Sequence, residues 1–269
     1  MPTSPDGSRA ERPYGWRARL GLIVPPTNTV NEAEWAFACP SGVTVHTARM
    51  PLHLDSATPE GRRRLEDDLR RAALDLAAAE VDVIAYGCTA GSLVLPLDTI
   101  TSFVSRETGI PAVATAPAIV EALRDLGARR LVVATPYHDA LNEHEARFLE
   151  ACGFEVVRLR GLGLGAGGLH EFRLISRVTP TDLLAFVMEV DHPEADAVVV
   201  SCTDLPTMAI HQALAARLGK PVVTSNQATF QAALRRAGVA KDPAWGVDPG
   251  VKAEPAAGRG VTEQETELD

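Results

Sequence analysis

VDVIAYGCT, at residues 81–89, returns as ADAVVVSCT at residues 195–203. Each copy is a short apolar run, Val81–Tyr86 or Ala195–Val200, which reads as a strand buried on both faces. Each run ends in a small residue, a cysteine and a threonine. The echo extends outward. GIPAVATAPA at 109–118 resembles GKPVVTSNQA at 219–228, LRDLG at 123–127 resembles LRRAG at 234–238, and LGLIVPP at 20–26 resembles LVVATPY at 131–137. The offsets are 114, 110, 111 and 111. Four segments in one order at nearly one offset indicate an internal duplication.

The remaining pattern alternates in the same way. Further strands are expected at Leu20–Val24, Ala112–Ala114, Leu131–Ala134 and Pro221–Val223. Helical spacing occupies Pro59–Glu80, Pro117–Leu126, Leu141–Cys152, Pro180–Val190, Pro206–Leu218 and Gln227–Ala237. Buried strands alternating with helices make parallel βαβ units. The expected fold class is therefore α/β: two similar Rossmann-like lobes on parallel sheets, related by a pseudo-two-fold axis, with the active site in the cleft between them. Lobe 1 is expected at 19–125 and lobe 2 at 126–241, with the last lobe-2 helix free to pack on lobe 1. Residues 1–18 read as a flexible leader. Residues 242–269 are acidic and nearly free of large apolar side chains, and read as a disordered or surface-draped tail.

The 269 residues carry a formal net charge of −9, which argues against nucleic acid as the main ligand. No apolar run reaches membrane-spanning length, and the leader lacks the apolar core of a signal peptide. A cytoplasmic protein without nucleic-acid or membrane partners is expected, and base rates for enzymes make a homodimer the expected assembly. The four cysteines, at 39, 88, 152 and 202, form no CxxC pair. The seven histidines form no HxH or HExxH, so no metal site is expected.

The duplication makes Cys88 and Cys202 equivalent. Each lies just past the carboxyl end of a strand, the edge where open α/β sheets bind ligands. Two facing edges would put two thiols on opposite sides of one small ligand. Backbone N–H groups at a helix start after each cysteine are expected to bind carboxylates and to lower the thiol pKa toward neutrality. The opposing reading is that free cysteines are mostly buried small hydrophobes. Cys39 and Cys152 lack this context and read as structural.

These residues resemble the aspartate/glutamate racemase superfamily, and within it the branch of maleate cis-trans isomerases and arylmalonate decarboxylases. The likeness covers about residues 19–240. It rests on Leu22-Ile23-Val24-Pro25-Pro26-Thr27-Asn28-Thr29, Tyr86-Gly87-Cys88-Thr89, Ala134-Thr135-Pro136-Tyr137 with Asn142 following, and Ser201-Cys202-Thr203-Asp204-Leu205-Pro206. The resemblance implies a cofactor-independent isomerase of a small carboxylate or dicarboxylate. By analogy with maleate isomerases, Cys88 is the nucleophile that adds to the alkene and Cys202 the acid/base. Asn28 and Tyr137 are implied carboxylate binders. Thr89, Thr203 and Pro26 complete the expected substrate site.

Three departures qualify this. Arylmalonate decarboxylases resemble the chain but keep glycine where Cys88 stands, which counts against decarboxylation. Two-cysteine racemases resemble it around Cys202, yet usually place asparagine where Thr89 stands. Maleate isomerases tend to place asparagine where Phe172 stands, so the substrate is expected to carry an apolar arm. A carboxylate-binding protein without turnover is the non-enzyme alternative.

Taken without the resemblance, Asn28 in Pro-Pro-Thr-Asn-Thr also suits a plain turn, and Tyr137 a packed sheet edge. Gly163-Leu164-Gly165-Ala166-Gly167-Gly168 matches GxGxxG after a possible strand, Val156–Leu159, but lacks an obvious following helix and the acidic residue of a dinucleotide site. It reads better as a loop covering the cleft.

Overall fold

The computed structural model describes residues 12–53, 55–56 and 58–239. The expected tail and the first 11 residues of the expected leader lie outside them. Within the remainder of that leader, Arg17 N donates to the Gly42 carbonyl, and Ala18 already opens the first strand.

Two four-stranded parallel sheets form the frame. The first contains β1 (Ala18–Val24), β2 (Val43–Arg49), β3 (Val83–Tyr86) and β4 (Ala112–Ala114), ordered β2-β1-β3-β4. The second contains β5 (Arg130–Tyr137), β6 (Glu155–Leu164), β7 (Ala197–Val200) and β8 (Val222–Thr224), ordered β6-β5-β7-β8. The second repeats the first in register as well. Leu20 pairs with Val83 as Leu131 pairs with Ala197, and Ile84 pairs with Ala112 as Val198 pairs with Val222.

Sequence reading found the inner strands and β4 and β8. It missed β2 and saw only Val156–Leu159 of β6. These two are sheet edges. Their stretches, VTVHTAR and EVVRLRGLGL, are mostly half-exposed, so they carry no unbroken apolar run.

Ten helices are described: α1 (Asn31–Ala38), α2 (Pro59–Ala78), α3 (Thr89–Leu93), α4 (Thr99–Thr108), α5 (Thr115–Asp125), α6 (Asp139–Ala151), α7 (Leu169–Phe172), α8 (Pro180–Val190), α9 (Met208–Leu218) and α10 (Ser225–Arg236). Local chemistry sets their ends. α2 and α8 both start at Thr-Pro. The Thr58 and Thr179 hydroxyls accept from Gly61 N and Asp182 N at 3.0 and 3.1 Å, and the proline needs no donor at that position. α4 and α9 both stop at a left-handed glycine, Gly109 (φ 72°) and Gly219 (φ 62°), where a side chain would be strained. α1, α4 and α7 were not anticipated, and α3 only as a helix start after Cys88; α3 and α7 span barely one turn.

The last helix of each half crosses the molecule. α10 packs on β3, β4 and α5, and α5 packs on β8 as well as β4. One continuous apolar core results. It joins Leu20, Leu22 and Val83 of one sheet to Leu131, Val133 and Val199 of the other through Leu123, Phe230 and Leu234. The outer sheet faces are covered separately, by α2 and α4 on one side and by α8 and α9 on the other. No helix among the described residues is long and apolar enough to cross a membrane.

α1 fastens the lobes. Trp35 is fully buried, meets Phe230 edge-on at 5.2 Å and donates to the Asn226 carbonyl at 3.3 Å. Glu34 accepts from Met208 N at 2.8 Å, at the start of α9, and from Asn226 Nδ2 at 2.7 Å. Burial pushes the Glu34 carboxyl up to about 7, outweighing these donors. The folded state therefore holds this proton more tightly than the unfolded chain. The resulting stability is complete below the ordinary glutamate pKa and is lost as pH rises through 7. Chemical denaturation of wild type and Glu34→Gln checks this. Between about pH 5 and pH 8 the stability difference should move in the variant's favour by ~2–3 kcal/mol.

Candidate active site

The inner strands β1, β3, β5 and β7 all point their carboxyl ends at one cavity of about 410 Å³ between the lobes. Asn28, Cys88, Thr89, Tyr137, Cys202 and Thr203 line it, as does Phe172. Pro26 does not: it is exposed, and its neighbour Pro25 forms that part of the wall. A two-proline turn can aim only one ring inward, and sequence reading chose the wrong one.

Cys88 caps α3. Its Sγ accepts from Gly91 N at 3.3 Å, and the Tyr86 hydroxyl stands against the same sulfur, favouring its ionised form. Close packing explains the glycines here. A Cβ on Gly87 would strike the Asn31 amide, and one on Gly91 would strike the Tyr86 hydroxyl and stand 3.1 Å from Cys88 Sγ.

Cys202 sits differently. No helix follows it directly; a turn intervenes before α9. Its backbone has φ 120°, a region that an L-residue occupies only under constraint. Two bonds hold it: Cys202 N donates to Ser225 Oγ at 2.9 Å, and Cys202 Sγ accepts from Asp204 N at 3.4 Å.

Both thiols are buried, at 5% and 6% exposure, and burial raises both pKa values. The expected shift toward neutrality is overturned, because desolvation of the ionised sulfur outweighs the N–H donors. The pair is nevertheless unequal. One backbone N–H and one tyrosine hydroxyl oppose the rise at each sulfur, Gly91 and Tyr86 at Cys88 and Asp204 and Tyr137 at Cys202. But Cys202 is pushed far up by burial and then by the Asp204 carboxyl, which weighs least among the influences on Cys88.

The hydroxyls and amide assigned to substrate are partly spent on joining the lobes. Asn28 Nδ2 donates to Thr203 Oγ1 at 3.0 Å, and Thr203 Oγ1 donates to the Gly87 carbonyl at 3.0 Å. Asn28 Oδ1 accepts from Val30 N and Asn31 N, ordering the start of α1. Thr89 Oγ1 donates to Ser225 Oγ at 2.9 Å. Each cysteine is thus tied through one hydrogen-bonded bridge to the opposite lobe.

Sequence reasoning missed three residues at this site. Asp204 lines the cavity, accepts from Thr29 N at 3.0 Å and is pushed up to about 7 by burial. Its signal was a carboxyl two positions beyond the second cysteine. Ser225 lay unread inside the repeated TSNQA segment, and Tyr86 passed for a strand residue. Behind Tyr137, Glu145 of α6 is likewise pushed up to about 7 by burial. His53, His138 and His144 add polar groups to the wall, and no Lys or Arg is among the described residues lining it.

The glycine-rich run follows β6 and turns into α7, a helix that the sequence did not announce. Gly165, Ala166 and Gly168 form part of the cavity wall. The Glu171 carboxylate accepts from Gly165 N and Gly167 N, both at 2.9 Å. An anion of the protein itself thus occupies two N–H groups that a phosphate would need.

Residues 20–246 match the family model described as arylmalonate decarboxylase. The chain belongs to that family. It is 30% identical over 243 residues to the arylmalonate decarboxylase of Bordetella bronchiseptica, covering 89% of this chain and 95% of that one. It is 26% identical over 234 residues to a maleate isomerase of Geobacillus stearothermophilus, covering 81% and 90%. Its fold is similar to that of a Nocardia farcinica maleate cis-trans isomerase mutant, with a TM-score of 0.72, 26% identity, and coverage of 82% and 93%. Family membership supports an enzyme on a two-lobed α/β frame.

Gly91→Ala probes the packing at Cys88. We expect the variant to fold, with unchanged far-ultraviolet circular dichroism, and to lose about 100-fold in turnover as the sulfur is displaced. Assay of the reaction proposed next, with both proteins at equal concentration, checks it.

Proposed function

We propose that the chain is a cofactor-independent isomerase of a small carboxylate, most like a maleate cis-trans isomerase. One observation carries the reading: two unequal buried thiols, Cys88 and Cys202, enter one cavity from opposite lobes. The Nocardia farcinica structure is a cysteine-to-serine mutant with a covalently bound succinylcysteine intermediate. This supports a thioether route for the present chain.

In this scheme Asp204, whose carboxyl exchanges its proton near neutrality, takes the proton of Cys88. The Cys88 thiolate attacks one alkene carbon, forming the C–S bond and breaking the π bond. The electron pair moves to the neighbouring carbon, next to a carboxylate, and Cys202 delivers a proton there. Rotation about the new single bond follows. The Cys202 thiolate then removes a proton from that carbon, the π bond re-forms, and Cys88 leaves as thiolate. Cys202 suits the acid role because burial and the neighbouring Asp204 carboxyl keep its proton on; Cys88, on which Asp204 weighs less, suits the nucleophile role. Asn28, through its second amide hydrogen, and Tyr137, buried beside Cys202, hold the carboxylate, while the Thr89 and Thr203 hydroxyls, donating between the lobes, shape the site around it.

A second reading rests on the placement of one tyrosine against each sulfur. That near-symmetry suits 1,1-proton transfer, with both thiols acting as bases of a racemase.

Proton NMR in D₂O with maleate, citraconate, both enantiomers of aspartate and glutamate, and phenylmalonate separates these. The isomerase predicts fumarate or mesaconate with wild type and at least a 1000-fold loss in Cys88→Ser, about the loss expected when a nucleophile is removed. Deuterium entering an α-position instead establishes the racemase. Decarboxylation of phenylmalonate that survives Cys88→Ser contradicts both.

A further inference from the structure

The cavity has a second polar feature, away from the cysteines in the chain and untouched by the scheme above. His53 follows β2 in the loop that begins at Met50, and its ring lines the cavity. Its side chain is only 8% exposed. His53 Nε2 lies 3.0 Å from Asp68 Oδ2 on α2, and Asp68 Oδ1 in turn accepts from Arg71 at 3.3 Å. Neighbouring Leu52 packs on apolar residues of both lobes. The wall elsewhere is largely apolar, with Leu52, Val94, Leu141, Phe172 and Ile175.

With the ring neutral, this arrangement fixes its tautomer. An ionised carboxylate can only accept, so the Asp68 contact requires a hydrogen on Nε2. In the neutral imidazole the other nitrogen, Nδ1, is then a bare acceptor. The complement to an acceptor is a donor, and the complement to an apolar wall is an apolar arm.

We propose that His53, oriented by Asp68, is a specificity-determining residue that accepts a hydrogen bond from a hydroxyl group on the apolar arm of the carboxylate substrate. The proposal rests on the functional reading above for where the carboxylate sits. It extends the substrate class from a bare four-carbon diacid to acids with a hydroxylated arm. Asp68 is a positioning residue, acting only through the ring.

Calorimetric titration tests this without turnover. The probes are straight-chain carboxylic acids of increasing length, their ω-hydroxy derivatives and the matching diacids. At one chain length the hydroxy acid should bind wild type about 10-fold more tightly than the parent acid, the value of one well-placed hydrogen bond in a dry pocket. His53→Leu should abolish that preference and leave the parent acid within about two-fold of its wild-type affinity, where a merely structural histidine would weaken both alike. Should His53→Leu not fold, Asp68→Asn, which frees the ring to exchange tautomers, should reduce the same preference. Absence of a preference in wild type at every length, including absence of binding, overturns the proposal. So does a preference that survives His53→Leu, or one for the diacids. A hydroxy-acid preference without turnover in the NMR assay would contradict the proposed reaction and leave this inference standing. Turnover without the preference would do the reverse.

Discussion

The hydroxyl of Thr203 donates across the molecule to the carbonyl of Gly87, the residue before Cys88, at 3.0 Å. Thr203 itself directly follows Cys202. This one bond therefore fixes the two cysteine-bearing strand ends against each other, and the geometry of the cavity follows from it. Asn28 closes the same contact from the end of β1, and Ser225 closes its counterpart between Thr89 and the Cys202 amide. All these groups are buried, so each would cost a kcal/mol or more if left unpaired, on the order of 1–3. A seam of this kind tolerates little sliding between the lobes. The crossed helices α5 and α10 supply the apolar mass around it, whereas the hydrogen bonds supply the register.

Burial governs the chemistry. Two thiols and the Asp204 carboxyl share a small cavity whose described lining contains no Lys or Arg, and all three are driven toward their neutral forms. The Asp204 carboxyl, weighing more on Cys202 than on Cys88, makes the two thiols unequal. In the proposed scheme a carboxylate entering this cavity meets Tyr137 and the Asn28 amide, and no Lys or Arg among the described lining residues. The strain at Cys202, with φ 120°, is held by Ser225 and by the turn leading to Asp204. It aims the sulfur into the cavity from a position where no helix follows.

Much of this was legible in the chain. The inner strands announce themselves because a strand buried on both faces has no polar positions to interrupt it. The Gly-x-Pro stops at Gly109 and Gly219 fall inside one pair of the repeated segments from which the duplication was read, and the Thr-Pro starts at Thr58 and Thr179 mark helix ends in both halves as well. Cys88 and Cys202 followed from strand ends and symmetry, and six of the seven expected site residues share the cavity. Part of what escaped depends on exposure and part on the other lobe. Edge strands β2 and β6 are mostly half-exposed and so lack an unbroken apolar run. Asp204 and Ser225 acquire their meaning only when Thr29 and Thr89 of the other lobe are brought beside them by the fold. The thiol pKa values were misjudged because local N–H donors are visible in sequence, whereas the depth of burial is not.

The central claim is that the seam presents two thiols of unequal character to one ligand, with Cys88 as the one that bonds to carbon. Intact-protein and peptide mass spectrometry of Cys202→Ser incubated with maleate tests it most directly. In this variant solvent supplies the proton that completes the adduct, and without the Cys202 thiolate to remove a proton again the reaction should stall after addition. The account predicts a covalent adduct of one substrate mass on the peptide that contains Cys88, absent from Cys88→Ser. An unmodified protein that still interconverts the isomers, or an adduct on Cys39 or Cys152 in its place, would contradict it.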